Sequence, residues 1–313
     1  MLFFAVTRVA RAALTIILVI TFAFVVLRIS GDPAISIMGE NASPEAMAAF
    51  RRDWGLDSPI WIQYLRYFIA IFHGEFGQSM RGGGPALQLV LSRVPATLAL
   101  TLPALILKVG IGIPAGVYAA LHRDSPVDRT VMTAAVAGFT IPSFILGLGL
   151  VQIFAIQMRW LPTGGSDGWA NIILPVLTLG MGGAAVLARF VRSATLEVLG
   201  QHYVRTASAK GVPWSSVVSR HALPNAAIPT ITIVGFMVGN LIAGSVVVES
   251  VFSWPGIGNL LVVSVASRDL AVVQCILLFV AVTMVVSNLT VEFLYGLLDP
   301  RLSNAMSARE KQS

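Results

Sequence analysis

Six stretches of this chain are apolar for long enough to cross a lipid bilayer as helices, and that repetition dominates every other signal in the sequence. A helix needs about 20 predominantly apolar residues to span the hydrocarbon core. By that ruler the spans lie at about 9–29, 96–121, 130–157, 171–191, 226–248 and 271–295. Only 12% of the residues are charged while 56% are hydrophobic, too little charge to clothe an ordinary soluble domain. The expectation is an all-α, polytopic membrane protein forming one transmembrane domain over residues 1–313. The first apolar stretch has the look of a secretory signal, but no small-x-small cleavage pattern follows it, so it reads as a retained anchor.

Arginine and lysine in short loops set the orientation of such a chain. On one side fall Arg8, Arg11, Arg123, Arg129, Arg189, Arg192, Arg205, Lys210, Arg220, Arg301, Arg309 and Lys311; on the other, outside the long first loop, only Arg159 and Arg268. Both termini are therefore expected in the cytoplasm, with residues 30–95 outside it and residues 192–225 as the longest cytoplasmic loop. The net charge of +6 is spread through these turns rather than gathered into a basic tract, which argues against nucleic-acid binding. Within the outer loop, residues 60–72 are apolar but too short to span, and fit an interfacial or partner-facing helix with Trp61, Tyr64 and Tyr67 at headgroup level. Pairs such as Gly112 with Gly116 and Gly235 with Gly239 permit close helix contact.

The cytoplasmic loop is more elaborate than a connector needs to be. Residues 201–209 contain no helix breaker, Gly211 and Pro213 mark a turn, and WSSVVSRHAL forms a short second helix that ends where Pro224 begins the next span. A helix, a glycine turn and a second short helix make an element shaped for docking.

Here the residues resemble a known family. Arg205-Thr206-Ala207, three residues, Gly211, nine residues and His221-Ala222-Leu223-Pro224 keep the spacing of the cytoplasmic signature of binding-protein-dependent ABC importer permeases. Arg205 and His221 replace the glutamate and isoleucine of the general motif, as is usual in the oligopeptide, dipeptide and nickel branch. GDPA at 31–34, GLDSPIWIQY at 55–64, GEFGQSM at 74–80, RVPATLAL at 93–100, GIPAGVYAAL at 112–121, FSWPGIGNLL at 252–261 and LLDPRL at 297–302 are similar to that branch in the same order. The resemblance implies a type I ABC importer permease fold in a bacterial inner membrane. It also implies partners: a second, homologous permease, two ATP-binding subunits and an extracytoplasmic solute-binding protein. Tyr203, Arg205, Thr206, Ala207, Lys210, Gly211, Arg220, His221, Leu223, Pro224 and Asn225 are then the coupling element that meets an ATPase. Phe252, Trp254, Pro255, Gly256 and Gly258 belong to an outer fold-back segment that closes the pathway, with an interfacial aromatic anchor as the alternative. Asp299, Pro300 and Arg301 fix the cytoplasmic exit of the last span.

Several chemistries are missing from the sequence. There is no GxxxxGK[ST] loop, so ATP and magnesium are expected on partner subunits and no cofactor on this chain. No HExxH or CxxC occurs, the histidines at 73, 122, 202 and 221 fall in loops, and Cys275 stands alone, so neither a catalytic nor a metal site is expected. An ion-coupled secondary transporter, the competing class, places carboxylates at span centres, whereas Glu249 and Glu292 lie near span ends. Lys108 does stand mid-span, where a charge costs at least about 2.5–3.5 kcal/mol unless it meets water or a partner. It is read either as a pathway residue that attracts an anionic group of the solute or as a structural charge that snorkels or pairs with the other permease. Met132, Met158, Met181 and Met237 are scattered and fill packing gaps. Short peptides are the expected cargo, with nickel or a metal complex as the alternative.

Overall fold

Helices account for the chain, and two of the long apolar segments are broken where the sequence removes backbone donors or supplies weak helix formers. The computed structural model describes residues 2–29, 33–39 and 42–298. Asp299, Pro300 and Arg301, together with Gly31 and Asp32 of the GDPA stretch, lie outside the described residues. Among the described residues there is no strand, only an isolated antiparallel bridge between Gln78 and Pro85.

The first predicted span lies within α1 (Leu2–Ile29). The loop predicted over 30–95 carries α2 (Pro33–Met38), α3 (Pro44–Asp53) and α4 (Ile60–Phe72). The start of α3 follows from its sequence: Ser43 Oγ accepts from Ala46 N at 3.2 Å, Pro44 occupies the first turn and Glu45 faces the positive end of the helix dipole. Next come α5 (Ala86–Leu121), α6 (Pro126–Thr140) and α7 (Ser143–Leu150), the last continued by a π-helical run, Val151–Gln157. A 3-10 turn, Trp169–Ile172, leads into α8 (Ile173–Leu199). Two short helices follow, α9 (His202–Ala209) and α10 (Trp214–Val217), then a π turn, Val218–Ala222, and α11 (Leu223–Gly239). The chain ends in α12 (Val246–Val251), α13 (Ile257–Ala266) and α14 (Leu270–Leu298).

The segment predicted as one span over 130–157 bends by 101° between α6 and α7. Ile141 is extended, with ψ of 117°, because the ring of Pro142 disfavours the helical region for the residue before it. The segment predicted over 226–248 stops at Gly239, and α12 resumes only at Val246. Between them Gly244 N donates to Asn240 O at 2.8 Å and Ala243–Ser245 forms a 3-10 turn, consistent with the poor helix propensity of Gly and Asn. The loop predicted over 192–225 is also shorter, since α8 runs on to Leu199 and α11 begins at Leu223. Ala86–Leu121, Trp169–Leu199, Trp214–Gly239 and Leu270–Thr290 are each long and apolar enough to cross a bilayer, and the bent α6–α7 pair is so as a whole.

Two compact units divide the chain. One comprises Met1–Leu98 and Ser253–Thr283, the other Ala99–Phe252 and Met284–Ser313. In the first, α4 lies on α1: Phe24 meets Tyr64 edge-on at 5.3 Å and stacks with Tyr67 at 6.2 Å, and Tyr64 Oη shares a 2.8 Å hydrogen bond with Thr21 Oγ1. Both tyrosines thus turn toward protein, while Trp61 stays exposed. In the same unit Ser79 Oγ donates to Asp269 Oδ2 and Met80 N donates to Asp269 Oδ1 at 3.2 Å, tying the GEFGQSM stretch to the turn before α14.

In the second unit α5 packs on α8 through a row of positions four apart. A Cβ at Gly112 would stand 2.9 Å from Ala184 O and from Leu187 Cβ, and one at Gly116 would stand 2.5 Å from Ala188 O and 2.8 Å from Val191 Cβ. These glycines let the two backbones touch, as the spacing suggested. Gly116→Ala is therefore expected to cost about 1–3 kcal/mol by forcing the helices apart, read as a lower thermal midpoint of the purified complex. Gly110, whose Cβ would meet nothing within 4 Å, is the control, and Gly110→Ala should leave the midpoint unchanged or raise it.

Candidate functional site

The element from His202 to Asn225 is built so that its polar residues face outward from a small apolar base. Val204, Val217, Val218 and Ala222 are buried. Tyr203, Arg205, Thr206, Lys210, Trp214, Arg220, His221, Pro224 and Asn225 are exposed, and Ala207 and Leu223 are half-buried. Trp214, a large ring 55% exposed on a four-residue helix, is a prominent apolar contact the sequence reading did not single out. Gly211 adopts φ of +80°, so the turn between α9 and α10 uses backbone that a side chain resists. Its N–H donates to Ser208 O at 3.0 Å and Val212 N donates to Ala207 O at 3.3 Å.

Pro224 explains the wide π turn that follows. It has no N–H to return to the preceding turn, and just before it Leu223 N bonds back five residues to Val218 O. Asn225 Nδ2 donates to His221 O at 2.6 Å, so the motif asparagine supplies the kink with a side-chain donor. His221 itself is exposed.

Beside this element lies an ion pair that sequence reasoning missed. Arg192, near the end of α8, clasps Asp128 at the start of α6 with two parallel bonds of 2.6 Å, Nε to Oδ1 and Nη2 to Oδ2. Asp128 is 3% exposed. Asp124 N donates to Asp128 Oδ2 at 3.0 Å and Ser125 Oγ caps Asp128 N at 3.2 Å, so the loop and the helix start are drawn into the same knot. Arg192 entered the sequence reading only as one of the topology charges; a pairing across 64 residues leaves no local pattern to find.

Lys108 lines a cavity of about 310 Å³ within the second unit, together with Phe139, Ser143, Gly183 and Asn240 among others. Its stem lies flat over Gly183, where a Cβ would be 2.5 Å from Lys108 Cε and 2.6 Å from Cδ.

The outer segment is pinned by the protein itself. Phe252 is 1% exposed among Leu174, Val248 and Leu161, its ring lies over Gly147, and its carbonyl accepts from Gly165 N at 2.8 Å. Trp254 is buried and donates through Nε1 to Ala96 O at 2.8 Å, Pro255 O accepts from Arg93 Nη1 at 3.3 Å, and Ile257 N donates to Thr97 Oγ1 at 2.8 Å. Gly256 precedes α13 and Gly258 is buried in its first turn. Glu249 is fully buried and accepts from Ser245 Oγ at 2.9 Å. Among the described residues no group of three or more His, Cys, Asp or Glu gathers as a metal site would require.

Comparison with known proteins places this arrangement. Residues 1–101 match the family model for the N-terminal part of binding-protein-dependent transport system membrane components, and residues 112–304 match that for the binding-protein-dependent transport system inner membrane component. The glutathione transport system permease protein GsiC of Salmonella paratyphi A (strain ATCC 9150 / SARB42) is 44% identical over 289 residues, 92% of this chain and 94% of that one. Its Escherichia coli (strain K12) counterpart is 43% identical over the same shares. Among solved structures, an inward-facing MetNI methionine ABC transporter chain superposes with a TM-score of 0.57 at 21% identity, covering 68% of this chain and 97% of that one. That likeness supports the all-helical permease fold. The chain belongs to the family of binding-protein-dependent transport system inner membrane components, as an ABC importer permease.

Proposed function

We propose that this chain forms half of the translocation pathway of an ATP-driven importer that takes short peptides, glutathione among them, from a solute-binding protein. The observation that supports the cargo is the 44% identity, over 92% of the chain, to a permease of a glutathione transport system. In this reading the chain crosses the membrane six times with both ends in the cytoplasm. It pairs with a second permease, carries no catalytic group, and leaves ATP and magnesium to two partner ATPases.

The exposed element from His202 to Ala222 is the part that docks into an ATPase subunit. Tyr203, Arg205, Lys210, Trp214 and Arg220 supply contacts, and the Gly211 turn and the Pro224 kink make it a stiff lever on α11. The Asp128–Arg192 pair ties the end of α8, which feeds directly into this lever, to the start of α6. Closure of the ATPase pair is thereby passed to several spans together. The segment from Phe252 to Gly258 closes the pathway outward by moving as a whole, since its aromatic rings are already held. Asp299, Pro300 and Arg301 steady the cytoplasmic exit of α14.

The test is ATP hydrolysis by the reconstituted complex with its binding protein. Glutathione and other tripeptides should raise the rate severalfold, whereas free and chelated nickel should not. Stimulation by nickel alone would overturn the peptide reading.

A further inference from the structure

We propose that the cavity around Lys108 is a carboxylate-accepting subsite, in which the Lys108 ammonium, the Ser143 hydroxyl and the Asn240 amide receive a carboxylate of the passing solute. The inference rests on the importer reading for the solute, while the subsite itself rests on what lines the cavity.

Three observations converge. First, no carboxylate lines the cavity, so Lys108 gives it an uncompensated positive charge. Second, among the described residues no hydrogen bond or ion pair occupies the side chains of Lys108, Ser143 or Asn240, although all three line the same space of about 310 Å³. Polar groups at membrane depth are otherwise paired, and here they line a cavity. Third, Gly183 clears the path for the lysine. The lysine stem occupies the space that a side chain at 183 would fill, 2.5 Å from the position of such a Cβ.

Snorkelling does not account for this geometry. Lys108 stands 12 residues from one end of the 96–121 span and 13 from the other. At 1.5 Å per residue either interface is about 18 Å away, well beyond the four-carbon stem of a lysine. One ammonium and two neutral donors match the two oxygens of one carboxylate. A peptide always carries such a carboxylate at its C-terminus, and glutathione carries two.

The first test reads the field inside the cavity without reference to any solute. Ser143→Cys is placed in a Cys275→Ser background in the complete reconstituted complex. Its rates of modification by a sulfonate-bearing and a trimethylammonium-bearing methanethiosulfonate are compared with and without Lys108→Met, the adduct being read by mass on this chain. The anion-over-cation rate ratio should fall by about tenfold or more when the lysine charge is removed. An unchanged ratio, or no modification by either reagent, would overturn the subsite. The second test is a transport cycle with trialanine and its C-terminal amide, in which any preference of the binding protein itself cancels. Lys108→Met should reduce uptake of trialanine about tenfold more than uptake of the amide, and Lys108→Arg should retain the preference for the acid. Equal losses on both solutes would sink the proposal. If the wild-type complex transports neither peptide, the peptide reading fails, and the modification ratio still judges the subsite.

Discussion

Asp128→Ala is expected to abolish most solute transport and to lower the stability of the permease by about 3–5 kcal/mol, the range found when one partner of a buried ion pair is removed. The reason is what it leaves behind. The Arg192 side chain is only 21% exposed and Asp128 accepts both of its guanidinium bonds, so truncation strands a largely desolvated cation. It also frees Asp124 N, held by Asp128 Oδ2 in a loop where Asp124 takes φ of +64°. Asp128→Asn should fall between, because the amide oxygen can still accept while the amide nitrogen repels one guanidinium N–H. Exchange of the charges, Asp128→Arg with Arg192→Asp, should recover part of the loss. No recovery by the exchange, with both single variants already at wild-type thermal midpoint, would show that the pair carries no coupling load.

What was legible in the sequence was whatever local pattern carries. The apolar runs and the turn at Gly211 depend on neighbours in the chain, and the glycine does make that turn, with φ of +80°. The bend at Ile141–Pro142 was readable too, since the rule for a residue before proline is local, but continuous hydropathy across 130–157 hid it. Partners far apart in the chain were not readable. Asp128 finds Arg192 across 64 residues and Ser79 finds Asp269 across 190, and nothing near any of these residues marks it as paired. Phe252 shows the same limit from the other side. An aromatic beside Trp254 and Pro255 reads as an exposed gate or anchor, yet its ring fills a core among Leu174 and Val248 that is assembled from three separate segments.

Gly211→Pro is expected to reduce transport at least tenfold while leaving the permease itself folded. Proline fixes φ near −65°, whereas position 211 sits at +80°, and the substitution also removes the N–H that donates to Ser208 O. The turn must therefore be rebuilt, and α10 leaves α9 in a different direction. The damage stays local because Gly211 is exposed and no side chain packs on it: a Cβ there would meet nothing within 4 Å. Gly211→Ala separates the two effects. It meets no clash and keeps the N–H, so it bears only the roughly 1–2 kcal/mol of a left-handed alanine, and should lose transport severalfold at most. Binding-protein-stimulated ATP hydrolysis gives the discriminating readout. A lever that no longer seats in the ATPase should leave basal hydrolysis measurable while the response to loaded binding protein disappears in Gly211→Pro and persists in Gly211→Ala. Wild-type stimulation and uptake in Gly211→Pro would mean that the direction of α10 does not matter, and the element between His202 and Ala222 would then be a surface turn and not the route by which nucleotide energy reaches the spans.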